Sequence, residues 1–153
     1  MATYSFQTIQ RIPLSLEQAW DFFSNPANLQ RITPDGMGFE IISQYHGNKM
    51  YPGQLIEYKV KPLLGVPLYW MTEITHVQEG AYFVDEQRFG PYTMWHHQHH
   101  FKEVSGGVMM VDIVHYKIPL GFLGDIAHWL FVKKQLQGIF DFRFKAVIAK
   151  WGK

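Results

Sequence analysis

The sequence contains no cysteine. That absence excludes disulfides, thiolate metal sites and cysteine nucleophiles together, and it leaves any metal chemistry to His, Asp and Glu. Net charge is also scarce: 14 Lys and Arg against 13 Asp and Glu leave +1. With no overall field to steer the chain toward a polyanion, a nucleic-acid partner is not expected. Long apolar runs are missing too, and none approaches the ~20 residues of a membrane-crossing helix. Met1 to Gln10 has neither the basic leader nor the apolar centre of a signal peptide, so a cytoplasmic location is expected. There is no repeat, low-complexity stretch or linker. Pro and Gly are spaced as turn punctuation, and residues 1–153 read as one domain.

What the chain has in excess is aromatic rings, with twelve Phe, eight Tyr and five Trp. Rings that cannot all pack tightly line a cavity or an interface; an aromatic-rich solid core is the other reading of the same composition. Along the chain, a first strand is expected near Tyr4 to Arg11. Ser15-Leu16-Glu17-Gln18 then has capping-box spacing ahead of an apolar stripe at Leu16, Ala19, Trp20 and Phe23. Asn25-Pro26 reads as an N-cap and first residue of a second short helix, ending before the turn Thr33-Pro34-Asp35-Gly36. Extended segments follow near 39–45, 54–61, 69–78, 81–88, 93–103 and 108–118, with breaks short enough for an antiparallel meander.

Beyond Pro119 and a turn over Gly121 to Gly124, Ile126, Leu130, Leu136, Ile139, Phe140, Val147 and Ile148 recur at helical spacing. One long amphipathic helix is predicted, its stripe buried on the concave face of the sheet because no other element can cover it. Gly138 lies mid-helix, marking a close backbone approach, a gap left for a ligand, or a kink. Lys133, Lys134, Arg143, Lys145, Lys150 and Lys153 read as a solvated face.

The segment richest in chemistry runs from Tyr92 to Phe101. On a strand, alternation puts Trp95, His97, His99 and Phe101 on one side, and Met94, His96, Gln98, His100 and Lys102 on the other. The first set is expected inward, because Lys102 must reach water. The same parity groups Phe83, Asp85 and Gln87, and separately Met110, Asp112, Val114 and Tyr116, although Met109, Val111 and Ile113 are equally apolar. If Asp85 and Asp112 face inward, His97 and His99 are the donors that would pair them. Three readings stay open for such a band: a hydrogen-bond network that fixes strand register, a polar edge for a largely apolar ligand, or catalysis or metal binding through the His-x-His pair.

Several of these residues also carry a resemblance. Trp20, Phe22-Phe23, Asn25-Pro26 and Ile32-Thr33-Pro34 fit it, as does Gly90-Pro91-Tyr92 leading into Trp95, His97, His99 and Phe101. Asp112, Tyr116, Pro119-Leu120-Gly121, Phe131-Val132, Leu136, Ile139-Phe140 and Arg143 complete the pattern. Together they resemble the START-like or polyketide cyclase superfamily, and most closely its small bacterial ligand-binding members. The resemblance implies an α+β helix-grip fold: a curved antiparallel sheet of six to seven strands around a long C-terminal helix, with two short helices after the first strand. It also implies a cavity between sheet and helix. The superfamily spans lipid carriers, hormone receptors, aromatase/cyclases and ring-hydroxylase subunits, so it supplies no single reaction. Trp70, Asp85, Trp95, His97, His99 and Asp112 match its motif positions.

The expectation for function is therefore binding of a hydrophobic or aromatic small molecule. Trp70, Asp85, Gln87, Trp95, His97, His99, Asp112, Tyr116, Phe140 and Arg143 are the candidate ligand-binding residues, with no cofactor and no bound metal. The alternative is a cyclase or dehydratase in which His97, His99, Asp85 and Asp112 supply an acid/base pair. A further alternative is a homodimeric interaction module pairing through Met109, Val111 and Ile113.

Overall fold

The computed structural model describes residues 2–34, 37–43, 49–61 and 66–151. Strand β1 (Tyr4–Ile12) leads into helix α1 (Leu16–Phe23), whose capping box is complete: Ser15 Oγ accepts from Gln18 N, and Gln18 Oε1 accepts from Ser15 N. The Asn25 side chain accepts from Ala27 N and starts a 3-10 helix (Pro26–Ile32) with proline in its first turn. Strands β2 (Glu40–Ile41), β3 (Gln54–Val60), β4 (Leu68–Gln78), β5 (Tyr82–Phe89), β6 (Met94–Val104) and β7 (Gly107–Lys117) follow. The sheet is antiparallel throughout, in the order β1-β7-β6-β5-β4-β3-β2, so the chain returns its first strand to the side of its last. Register shifts between Met71/Thr72 and Ile74/His76 bend β4 and add to the curvature. Strand β2 is only two residues long, shorter than the 39–45 read from sequence; residues 44–45, and Asp35-Gly36 of the expected turn, lie outside the described residues.

Apolar packing gathers at two ends of the concave face. At one, Trp20 meets Phe83 and Phe101 edge-on, with ring centroids 5.9 and 5.3 Å apart. At the other, Trp95, Val114, Tyr116 and Ile118 pack with Leu136 and Phe140 of the last helix. Within β6, Trp95, His97, His99 and Phe101 are buried while their alternates are half-buried or exposed, as the parity requires.

The chain closes with α2 (Gly121–Ala127), a π turn (His128–Val132) and α3 (Lys133–Trp151), one rod of 31 residues. Three sequence expectations are corrected here. Gly121 to Gly124 is already helical; the turn lies just before it, where Leu120 adopts φ 76. Ile126, Leu130 and Ile148 are not buried, and the inward positions are Gly124, His128, Leu136, Phe140 and Val147. For Ile126 and Leu130 the physical cause is the π turn, whose wider winding shifts the phase of the residues up to and within it relative to α3; Ile148 follows that turn, and its neighbour Val147 takes the buried position instead. Arg143 does not belong to the solvated basic face: it turns inward, while Lys133, Lys134, Lys145 and Lys150 are exposed and Lys153 lies outside the described residues.

Gly138 is exposed, and a Cβ built there would meet nothing within 4 Å. It marks neither a close approach nor a gap for a ligand, and the winding irregularity lies earlier, at 128–132. Gly138→Ala is accordingly expected to raise stability by about 0.5–1 kcal/mol, through helix propensity and a less disordered unfolded chain. A thermal melt reads this as a rise of a few degrees; a fall would show that the backbone there is constrained.

Candidate functional site

Strand pairing places the four ionisable groups of the band. Asp85 on β5 lies directly opposite His97 on β6, and His99 lies directly opposite Asp112 on β7. The bonds then run diagonally: His99 Nε2 to Asp85 Oδ2 is 2.6 Å and His97 Nε2 to Asp112 Oδ1 is 2.9 Å. The ring closes through His99 Nδ1 to Asp112 Oδ1 at 3.1 Å and His97 Nδ1 to Asp85 Oδ2 at 3.7 Å. The two imidazoles stack between the carboxylates with centroids 3.7 Å apart, and Phe83 stacks on the outer side of His99 at 4.1 Å. Each carboxylate thus faces both rings.

The electrostatics follow from that arrangement. Burial by itself would raise Asp112, yet its bonds to His97 and His99 hold it well below the usual carboxylate range. Asp85 is also lowered, its burial outweighed by the charge near His97, the bond to His99 and the nearby Arg143 guanidinium. For the histidines the balance splits. Burial and the neighbouring His99 push His97 down, whereas in His99 the two carboxylate bonds overcome burial and raise it. The band therefore favours a proton on His99 over one on His97.

Asp85, His97 and His99 offer three ligand atoms within 4.8 Å of one another. In the structure these groups bond one another, His99 Nε2 to Asp85 Oδ2 and His97 Nε2 to Asp112 Oδ1, as a hydrogen-bonded network.

The network borders a cavity of about 290 Å³ between the sheet and α3. Its walls are largely apolar and aromatic, with Met50, Ile56, Trp70, Tyr92, Trp95, Leu136 and Phe140 among them. Of the sequence candidates, Trp70, Asp85, Trp95, His97, His99, Phe140 and Arg143 line it. The other three do not. Gln87 is held by the backbone of Tyr92, donating from Nε2 to its carbonyl at 2.6 Å and accepting its N–H at 3.0 Å, because the bend after Phe89 brings that backbone within reach. Asp112 sits behind the imidazoles, away from the cavity. Tyr116 points past the cavity to His128, its hydroxyl 2.6 Å from Nε2.

Sequence reasoning missed a second polar spot on the wall. Tyr58 Oη lies 2.6 Å from Thr72 Oγ1, which also accepts from Trp70 Nε1 at 3.0 Å. Alternation could have found it, since Tyr58 shares a face with Ile56 and Val60, and Thr72 with Trp70 and Ile74. Buried His128, stacked 3.6 Å from Tyr4, carried no such signal, because its orientation depends on the π turn. Met109, Val111 and Ile113, the residues read as an outward dimer face, are half-buried.

No protein-family model matches the chain, and no curated protein matches its sequence. Solved structures do match in shape. A protein from Chromobacterium violaceum superposes with a TM-score of 0.74 at 10% identity, covering 97% of this chain and 98% of that one. The chain has the helix-grip fold. Ara h 8.0201 shares it with a TM-score of 0.60 at 17% identity over 97% and 99% of the two chains. A nucleoside-diphosphate sugar epimerase from Corynebacterium glutamicum matches at 0.64 and 20% identity, over 94% of this chain but only 28% of its own. In the helix-grip architecture the concave sheet and the last helix are the two walls of the cavity described above. Among the described residues no helix is long and apolar enough to cross a membrane.

Proposed function

We propose that this chain is a single-domain binding protein for a compact hydrophobic or aromatic small molecule, akin to the small bacterial ligand-binding START-like proteins that its sequence resembles. The observation that carries this reading is a mostly apolar cavity of about 290 Å³ with its polar groups gathered in a few places. That volume is at the low end of ligand pockets, which favours a fused-ring or short isoprenoid skeleton over a two-chain lipid. The polar edge of such a ligand would meet Arg143, whose Nε is buried and finds no acceptor within the described residues. A keto, enolate or carboxylate oxygen suits that donor.

Native mass spectrometry with anilinonaphthalene sulfonate, an anionic aromatic probe, tests the reading. A one-to-one adduct is expected, weakened about tenfold in Arg143→Met through loss of a charge-assisted bond. Ile139→Trp, which fills the cavity from α3, should abolish the adduct. Undiminished binding in that variant would sink the proposal.

One observation favours a second reading. His97, whose Nε2 bonds Asp112, keeps Nδ1 on the Asp85 side of the band, next to the cavity, where it could remove an acidic proton from a bound ketone in a cyclase or dehydratase. A His97→Gln variant that binds a substrate normally and converts none of it would favour chemistry over carriage.

A further inference from the structure

The beginning of the last helix is built inside out. Phe122, Leu123, Ile126, Trp129 and Leu130 fall at i, i+1, i+4, i+7 and i+8, the spacing of a buried helical stripe, yet each is more than half exposed. Leu120 and Phe131 extend the same patch, at 75% and 61% exposure. The opposite face does the packing, and it does so with small and polar groups. Gly124 lies against the Pro119 carbonyl, Asp125 Oδ1 accepts from the Tyr4 hydroxyl at 2.5 Å, and His128 bonds Tyr116 while stacking on Tyr4. The outward apolar face is therefore held in place from behind. Seven large apolar side chains gathered within twelve residues are far more than the scattered exposed leucines of an ordinary surface.

We propose that this face docks on the surface of a membrane containing anionic lipid. The charge around it selects that occupant. Lys133 and Lys134 follow the patch directly, both exposed and without a carboxylate partner among the described residues, and Lys133 Nζ stands 4.8 Å over the Trp129 ring. Between Ile118 and Lys134 the one acidic residue is Asp125, which is turned inward to Tyr4. An apolar face carrying Trp and Phe and edged by unpaired cations complements acyl chains below and anionic headgroups above. A second copy of the chain would bring the same face and the same lysines, with no acid to meet them. Val132 and Leu136, which line the cavity, lie just beyond the patch on the same rod, so docking would set one end of the cavity wall close to the bilayer.

The proposal is independent of the ligand reading, because docking is measured with the cavity empty of added probe. The whole chain is mixed with sucrose-loaded vesicles of phosphatidylcholine alone or with phosphatidylglycerol, and pelleted. Selective pelleting with the anionic vesicles is expected, decreasing as salt is raised. Lys133→Gln with Lys134→Gln should weaken it about thirtyfold, from roughly 1 kcal/mol per lysine at an anionic surface. Phe122→Ser with Trp129→Ser should weaken it roughly a hundredfold or more. Both pairs are exposed, so an unchanged thermal melt certifies the fold. No pelleting with either vesicle, or equal pelleting with both, would overturn the proposal. So would sedimentation of the free protein as a dimer that Trp129→Ser converts to monomer, which would assign the face to a second copy.

Discussion

Asp112→Ala is expected to lower stability at neutral pH by about 3–5 kcal/mol, the range for breaking a buried charged pair by removing one partner. In a chain of this length that corresponds to a fall of roughly 10 °C in Tm. Asp112 faces both imidazoles, and its side chain is only 13% exposed, so little solvent is at hand to replace it. A Tm within 2 °C of the parent would show that the network contributes nothing to the fold. The substitution does not touch the cavity wall, so any change in probe binding would come through the histidines it positions.

The same network fixes the sign of the pH dependence. The folded carboxyls of Asp85 and Asp112 lie below their ordinary value of 3.8, so their contribution is complete above it and is lost as pH falls through the lower folded values. His99 works the other way: held above 6.5 when folded, it contributes fully below that value and its share disappears as pH rises through its folded pKa. His97, pushed below 6.5, contributes above that value and loses its share as pH falls through the folded one. Urea titrations should show the acid limb shrink in Asp112→Ala. Proton NMR of His99 should show its titration move down once a carboxylate partner is gone. A His99 midpoint unchanged by the substitution would contradict the assignment of its proton.

Gly124→Ala is the second large effect. A Cβ at this position would lie 2.0 Å from the Pro119 carbonyl oxygen and 3.1 Å from its carbon, a clash with backbone that no rotamer relieves. Overpacking of this kind costs about 3 kcal/mol, against a gain of about 1 kcal/mol in helix propensity, so a net loss of roughly 2 kcal/mol is expected. The start of the helix would have to lift, loosening the Tyr4–Asp125 and Tyr116–His128 bonds together. The contrast with Gly138 is the sharper test: one substitution at two positions on one rod should destabilise at the first and stabilise at the second. The same sign at both would mean that Pro119 yields easily.

Much of the architecture was legible because it rests on local physics. The Ser15 capping box, the Asn25-Pro26 start and the glycine hairpins are decided within a few residues. Likewise, Trp95, His97, His99 and Phe101 share the buried face because successive strand side chains must alternate. The inward parity of Asp85 and Asp112 was one of two readings, and their pairing with the histidines settles it.

What alternation cannot supply is where a side chain ends once it points inward. Gln87 and Asp85 share parity, but the chain bends after Phe89 and gives Gln87 a backbone partner, while Asp85 keeps the cavity. Tyr116 was drawn away by His128, a residue twelve positions along whose orientation a π turn decides. That turn also reverses the expectation for Ile126 and Leu130, read as core from their spacing and exposed in the fold. By itself the sequence determined the elements, their order and the inward set of β6, since caps, turns and alternation are short-range. Only the tertiary structure decided the diagonal His–Asp bonds, the walls of the cavity and the outward apolar face, because register, bend and helix phase depend on contacts between residues distant in the chain.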